Sequence, residues 1–357
     1  MLRPFACMTA ILSVLPGAWA AAPSIRLQEG MIVTSVVSYL THSPDLVQLL
    51  KHLGADGLQW ETESQISTTD EQRNSSGYAK GAFTRTEDLQ TSHRLFLRVF
   101  ADESEARVGA TTGMASSEVF AELRNKGETA IDVIEIPPEK GNVYDPTVVA
   151  QRKNFRGTLV RVGSETMRIL VDGVAVLVPV LHAKGTLKAR ELVHTFDFWW
   201  LDDPAARLLM HYRFEDYTEH RVVRIDYPGV RGAEAALTTN LAKTCRAELS
   251  GVYFASGSAQ LLSASRPALE SIADILKKHP DWKITIEGHT DNVGNDVANL
   301  TLSRNRAAAV KDYMTSREAV DASRIKIEGV GRNRPIDNNE TIEGRAHNRR
   351  VEVARAC

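Results

Sequence analysis

The 357-residue chain has little of what usually assigns a function at once. Aromatic residues make up 6% of it, its strand-like segments are short, and several are apolar on both faces. A membrane-spanning β-barrel needs strands of about ten residues with one apolar face and aromatic girdles, so that class is disfavoured. After the first twenty residues no apolar run approaches the ~20 residues of a spanning helix. Three cysteines show no zinc spacing, and ten histidines form no paired motif on a helix, so no metal is expected. No phosphate-cradling glycine loop and no Gly-x-Ser-x-Gly elbow is present, so neither a cofactor nor a catalytic residue is assigned. Asp202-Asp203 stands before a proline and reads as a turn rather than a carboxylate pair. The net charge of −2 gives no general attraction to nucleic acid.

What is present is ordinary globular material, 43% hydrophobic and 25% charged, enough for about two domains. Residues 1–20 read as a secretory signal peptide: Arg3, an apolar run from Phe5 to Leu15, Pro16-Gly17, and an Ala18-Trp19-Ala20 cleavage site. Cys7 leaves with it. Two cysteines remain, Cys245 and Cys357, and an exported, oxidising compartment favours their bridging over two free thiols.

Residues 21–228 carry strand signals at regular spacing and are expected to form a β-rich periplasmic domain. Val47 to Leu53 has a helical look, ended by Gly54-Ala55-Asp56-Gly57. Leu95 to Phe100 reads as a buried strand, Ser116 or Ser117 as the cap of a short helix, and Ile131 to Ile136 as another strand. A hairpin is expected with Gly163-Ser164-Glu165 as its turn, followed by a second at Asp172-Gly173. Strands over Val193–Leu201, Leu208–Phe214 and Val222–Tyr227 follow. His182 and His194 read as ordinary sheet residues. Gly229 to Gly232 is a hinge, and residues 229–245 as a whole are hinge and linker helix.

From residue 246 the pattern alternates. Val252-Tyr253-Phe254 reads as the first strand, Ser256-Gly257-Ser258 as a turn, and Leu269, Ile272, Ala273 and Leu276 mark one face of a helix. A strand over 282–287, a helix over about 296–315, a strand over 324–329, a short helix over 341–349 and a last strand over 351–354 complete it. The expected fold is α+β: an N-terminal β-rich domain, then a two-layer α/β sandwich of βαβαβαβ order with a mixed sheet.

One constellation carries chemistry. Gly288-His289-Thr290-Asp291 ends a strand and opens a turn reaching Gly294. Asn299 and Leu302-Ser303-Arg304-Asn305-Arg306-Ala307 follow on a helix, and Gly344-Arg345-Ala346-His347-Asn348-Arg349-Arg350-Val351-Glu352 comes later. These pieces, in this order, resemble the OmpA-like domain, a peptidoglycan-binding module of Gram-negative envelope proteins. The likeness covers about the last 110 residues, the size of one small domain. It implies binding of the diaminopimelate in the peptidoglycan stem peptide, whose free ammonium and carboxylate share one carbon. On that likeness Asp291 would accept from the ammonium and Arg306 would fork onto the carboxylate. Thr290 and Asn299 would hold the loop, and Arg349 would reach the same pocket. Gly288, Gly294, Arg345 and Asn348 read as structural, and His289 as a packing residue. The turn at Ala255-Ser256-Gly257 departs from the family, where an Asp and an Asn often stand, so that rim is expected to be weaker or to rely on backbone amides.

The sequence therefore points to a non-enzymatic protein of the periplasm, associated with outer membrane and cell wall. Peptidoglycan is its expected partner, and the N-terminal domain would tether the outer membrane or an envelope protein. The alternative is a wall-localised enzyme whose N-terminal domain is catalytic. A motor- or secretion-type scaffold normally needs a spanning helix, and none is visible.

Overall fold

Two adjacent tryptophans set the plan of the N-terminal half. Successive strand residues face opposite sides of a sheet, and both Trp199 and Trp200 are buried, one in each of two apolar clusters. The sheet that carries them is therefore covered on both faces. The computed structural model describes residues 24–38, 45–63, 78–79, 83–97, 109–135, 153–214, 218–228 and 231–356. The signal-peptide segment lies outside them, as does Cys357.

Thirteen strands form this sheet: β1 (Ile32–Ser38), β2 (Asp45–Gly54), β3 (Gly57–Glu63), β4 (Tyr78–Ala79), β5 (Phe83–Arg85), β6 (Arg94–Phe96), β7 (Thr111–Thr112), β8 (Glu128–Glu135), β9 (Lys153–Val171), β10 (Val174–Ala189), β11 (Leu192–Leu201), β12 (Leu209–Phe214) and β13 (Thr218–Asp226). Strands β9 to β13 run antiparallel in sequence order. A short parallel pairing of Arg224 and Ile225 with Leu170 and Val171 closes those strands into a ring. Helices α1 (Thr86–Thr91) and α2 (Ser117–Asn125) lie beside it, and Ser116 caps α2 by accepting from the Val119 amide at 3.1 Å. The Asp172-Gly173 hairpin turn has φ of +48° and +78°, the left-handed pair that a tight hairpin demands.

Three readings of this half are corrected. Val47 to Leu53 is strand, not helix: β2 sits between β1 and β3, and burial of Leu46, Val47 and Leu50 against those neighbours overrides the local pattern. Gly163 to Glu165 is not a turn, because β9 runs through it unbroken for 19 residues. Its pairing with β10 skips Val162, so the glycine region makes a bulge instead. The expected hinge is partly helical, since α3 (Arg231–Thr244) already contains Gly232.

The C-terminal half has a four-stranded sheet, β14 (Arg246–Glu248), β15 (Ile284–His289), β16 (Ile325–Gly331) and β17 (Val351–Arg355), in the order β14-β17-β15-β16. Only β15 and β16 are parallel. Helices α4 (Arg266–Lys278), α5 (Asp296–Ser316) and α6 (Ile342–Asn348) alternate with these strands, and Leu269, Ile272, Leu276, Ala307, Val310 and Met314 join Ile284, Ile286, Val351 and Val353 in one core. Val252-Tyr253-Phe254 is not the first strand. Tyr253 leaves the sheet to pack with Ile32 and Val47 of the N-terminal half, and Phe254 bridges only Leu261. Among the described residues no helix is long and apolar enough to cross a membrane. Cys245 is disulfide-bonded.

Candidate functional site

The site is assembled where β15 runs out. Ile284 and Ile286 anchor the strand in the core, and Gly288 allows α5 to cross it closely. A Cβ at Gly288 would lie 2.0 Å from the Ser303 carbonyl oxygen, so no side chain fits. The Ser303 hydroxyl donates to the Leu300 carbonyl and accepts from the Gly331 amide, both at 2.9 Å, tying α5 to β16. Beyond the strand, Asp291 Oδ1 accepts from the Val293 amide at 3.0 Å, Gly294 turns at φ +87°, and Asn295 caps α5 by accepting from the Ala298 amide at 2.8 Å. Asn299 donates to the Val293 carbonyl at 3.0 Å, and Thr290 donates to the Asp291 carbonyl at 3.0 Å. Both residues hold the loop from within.

The buried face of α5 changes character along its length. Its first half buries Asn299, Ser303 and Arg306; its second buries Ala307, Val310 and Met314. Polar residues on a buried stripe need partners or a purpose. Arg306 is 8% exposed, and its Nε donates to the Ser258 carbonyl at 3.0 Å. Its guanidinium also lies 5.0 Å from the centre of the Phe254 ring. Among the described residues no carboxylate lies within ion-pair distance of it. Burial lowers this guanidinium to about 10, with Asp45 opposing, Arg349 adding to the drop and Asp291 opposing.

Arg349 is the opposite case. It donates Nη1 to Asp291 Oδ2 at 2.7 Å, and Nη2 and Nε to the two oxygens of Asp45 at 2.5 and 3.1 Å. Burial pulls its pKa down, but Asp45 and then Asp291 outweigh burial and hold it above the usual arginine value. Asp291 and Arg306 therefore do not neutralise each other. A cavity of about 50 Å³ lies beside both arginines, bounded by Phe254 and Tyr253 on one side and by Thr34, Asp45 and Val47 of the N-terminal sheet on the other.

Residues 253–349 match the OmpA family. The C-terminal region is an OmpA family domain. It is similar to outer membrane porin F of Pseudomonas aeruginosa, 45% identical over 85 residues that make up 24% of each chain. It is also similar to the peptidoglycan-binding protein ArfA of Mycobacterium tuberculosis, 43% identical over 102 residues, 29% of this chain and 31% of that one. The crystal structure of the peptidoglycan-associated lipoprotein from Burkholderia pseudomallei aligns at 30% identity over 29% of this chain and 88% of its own, with a TM-score of 0.28. The chain thus spans less than a third of the length of these two curated relatives.

The other OmpA-motif residues have structural surroundings. Asn348 accepts from the Ile336 and Asp337 amides at 2.8 and 3.0 Å and donates to the Asp337 carbonyl and Asn339 Oδ1. Arg345 donates to the Asn339 carbonyl at 3.0 Å. Next to the altered 255–257 turn, the Ser258 carbonyl accepts from Arg306. His289 is 1% exposed, and burial followed by Arg350 depresses it to about 4. It gathers with Glu287 and Glu352 at a spacing that could hold a metal. Those carboxylates are already engaged by Arg246, Arg334 and Arg350, which make the spot a poor place for a cation.

Two features of the N-terminal half escaped the sequence. His182 is not an ordinary sheet residue: its ring nitrogens meet Glu165 at 2.8 Å and Asp197 at 2.9 Å, and Trp199 stacks between His182 and His211 at 4.1 and 4.2 Å. Cross-strand register puts those rings in one row, but residues in four strands leave no local signature. The second is Asp45, which lies 304 positions before Arg349. Its strand was misread as helix, and no motif marks it.

Proposed function

We propose that the C-terminal domain binds peptidoglycan non-covalently through the diaminopimelate of the stem peptide. The observation that carries this is Arg306. It is a buried cation facing a cavity, with no carboxylate partner among the described residues, beside an aspartate whose charge is shared with another arginine. An incoming zwitterionic carbon brings a carboxylate to the Arg306 fork and an ammonium to Asp291, beside its bond to Arg349. Each charged hydrogen bond contributes roughly 1.5–3 kcal/mol net. ArfA of Mycobacterium tuberculosis, which this domain resembles, is a peptidoglycan-binding protein, in agreement with this reading.

In this reading the protein works in the envelope, held to the cell wall, and tethers its N-terminal domain or the outer membrane there. The test is co-sedimentation of the full chain with diaminopimelate-type sacculi and with lysine-type sacculi, whose stem peptide lacks the second carboxylate. Binding to the first only, lost in Asp291→Ala and in Arg306→Met, is expected. Equal binding to both wall types, or failure of the folded wild-type protein to sediment with either, overturns the reading.

A further inference from the structure

The N-terminal sheet reaches into the candidate site. Asp45 opens β2, and its carboxylate takes two of the donors of Arg349 while Asp291 takes a third. The contact is placed by more than one residue. Val36 of β1 stands opposite both Asp45 and Arg221, so Asp45 continues a cross-strand row to Arg221, which is itself paired with Glu343 of α6. Ile32 and Val47 pack on Tyr253, Ala255 and Leu262 beside the cavity, and Thr34, Leu170, Val223 and Arg224 form its wall. The pocket that should open to a polymer is thus roofed by the other half of the same chain.

We propose that Asp45, held on Arg349 beside Arg306, closes the pocket to the ligand carboxylate, so that docking of the N-terminal sheet and capture of the wall peptide exclude each other. The inference rests on the peptidoglycan reading above and adds its regulation. With Asp45 present, the four groups around the cavity, Arg306, Arg349, Asp291 and Asp45, sum to zero charge. A diaminopimelate carboxylate entering then meets Asp45 as a like charge in a confined space. With Asp45 withdrawn, one negative charge leaves the site and the Nε and Nη2 donors of Arg349 are freed beside Arg306, which is what an anion needs. Binding at one place and docking at the other are then linked, and the linkage is reciprocal. A load that peels β2 from the C-terminal domain opens the site, and a bound wall peptide holds the two halves apart. Apparent affinity is the intrinsic affinity scaled by the fraction of molecules already open.

The experiment compares full-length wild type with Asp45→Ala, using the soluble tripeptide L-Ala–γ-D-Glu–meso-diaminopimelate and calorimetry. Asp45→Ala is expected to bind at least tenfold more tightly. Equal or weaker binding overturns the proposal, and weaker binding would make Asp45 part of the receptor itself. A second readout needs no ligand: the rate at which phenylglyoxal modifies Arg349, followed by mass spectrometry. Slow modification in wild type and rapid modification in Asp45→Ala is expected, and equal rates overturn the latch. If neither protein binds the tripeptide, the peptidoglycan reading falls, while the modification rates still decide whether Asp45 closes the site.

Discussion

Two arginines line one cavity, and the structure assigns their removal opposite effects on stability. Arg306 stands at about 10 against an ordinary 12.5, so the unfolded chain holds this proton more tightly than the folded one does. The penalty applies at every pH below about 10, and at neutrality it amounts to roughly 3 kcal/mol. Arg306→Met keeps most of the apolar stem. It loses the bond to the Ser258 carbonyl and the stacking on Phe254, about 1 kcal/mol each. The balance is a gain of about 1 kcal/mol in stability, alongside loss of wall binding. Arg349→Met instead strands Asp45 and Asp291. Breaking a buried pair costs about 3–5 kcal/mol, and the lower end applies because the Asp45 side chain is 28% exposed. Urea unfolding of the two full-length variants at pH 7 measures the difference through the midpoint at constant slope. The reasoning is refuted if Arg306→Met is destabilised as much as Arg349→Met, because Arg306 would then be an ordinary structural cation.

Burial, with a smaller push from His211, depresses His220 to about 4, so its contribution to stability is complete above the unfolded value near 6.5. It is lost as pH falls from there towards 4, by up to roughly 3 kcal/mol; urea midpoints between pH 7 and 4.5 should fall less in His220→Phe than in wild type. Gly288→Ala would place a methyl 2.0 Å from backbone oxygen, so α5 must shift; a loss of about 1–3 kcal/mol and of sacculus binding is expected, and an unchanged unfolding midpoint would contradict it. Cys245 should be bridged to Cys357, closing a loop on the order of 100 residues worth roughly 5 kcal/mol. Intact mass after alkylation without reductant should then show no alkyl group on either, and two groups would refute the pairing.

The C-terminal domain was legible because its information is local. Ile284 and Ile286 alternate on a strand, Gly288 and Gly294 mark the turn, and Asn299, Ser303 and Arg306 recur at helical spacing within about twenty residues. The sequence also carried a weaker signal that was available to be read: three polar residues on the stripe that continues as Ala307, Val310 and Met314. Where information was non-local, the sequence was silent or misleading. Val47 to Leu53 looks helical by itself and becomes strand because β1 and β3 supply its hydrogen bonds and bury it. Gly163 resembles a turn residue until a 16-residue partner strand pairs on both sides of it. Tyr253 reads as a sheet residue until Ile32 and Val47 provide another place to bury its ring.

The seam between the halves follows the same logic and bears on function. Among the described residues four ion pairs cross it: Asp45 with Arg349, Arg168 with Asp337, Arg221 with Glu343, and Arg224 with Glu248. The apolar part of the seam is small, a cluster built around Ile32, Val47, Tyr253, Ala255 and Leu262. Each half keeps its own larger core, so parting the seam exposes mainly charges that water can solvate. Interfaces of this polar kind between domains are compatible with relative motion, whereas extensive apolar ones are not. An internal carboxylate can act as a competitor for a wall ligand only if its release leaves both folds intact. The division of the cores meets that condition, and the charges along the seam put the cost of opening in contacts that a ligand of matching charge can replace.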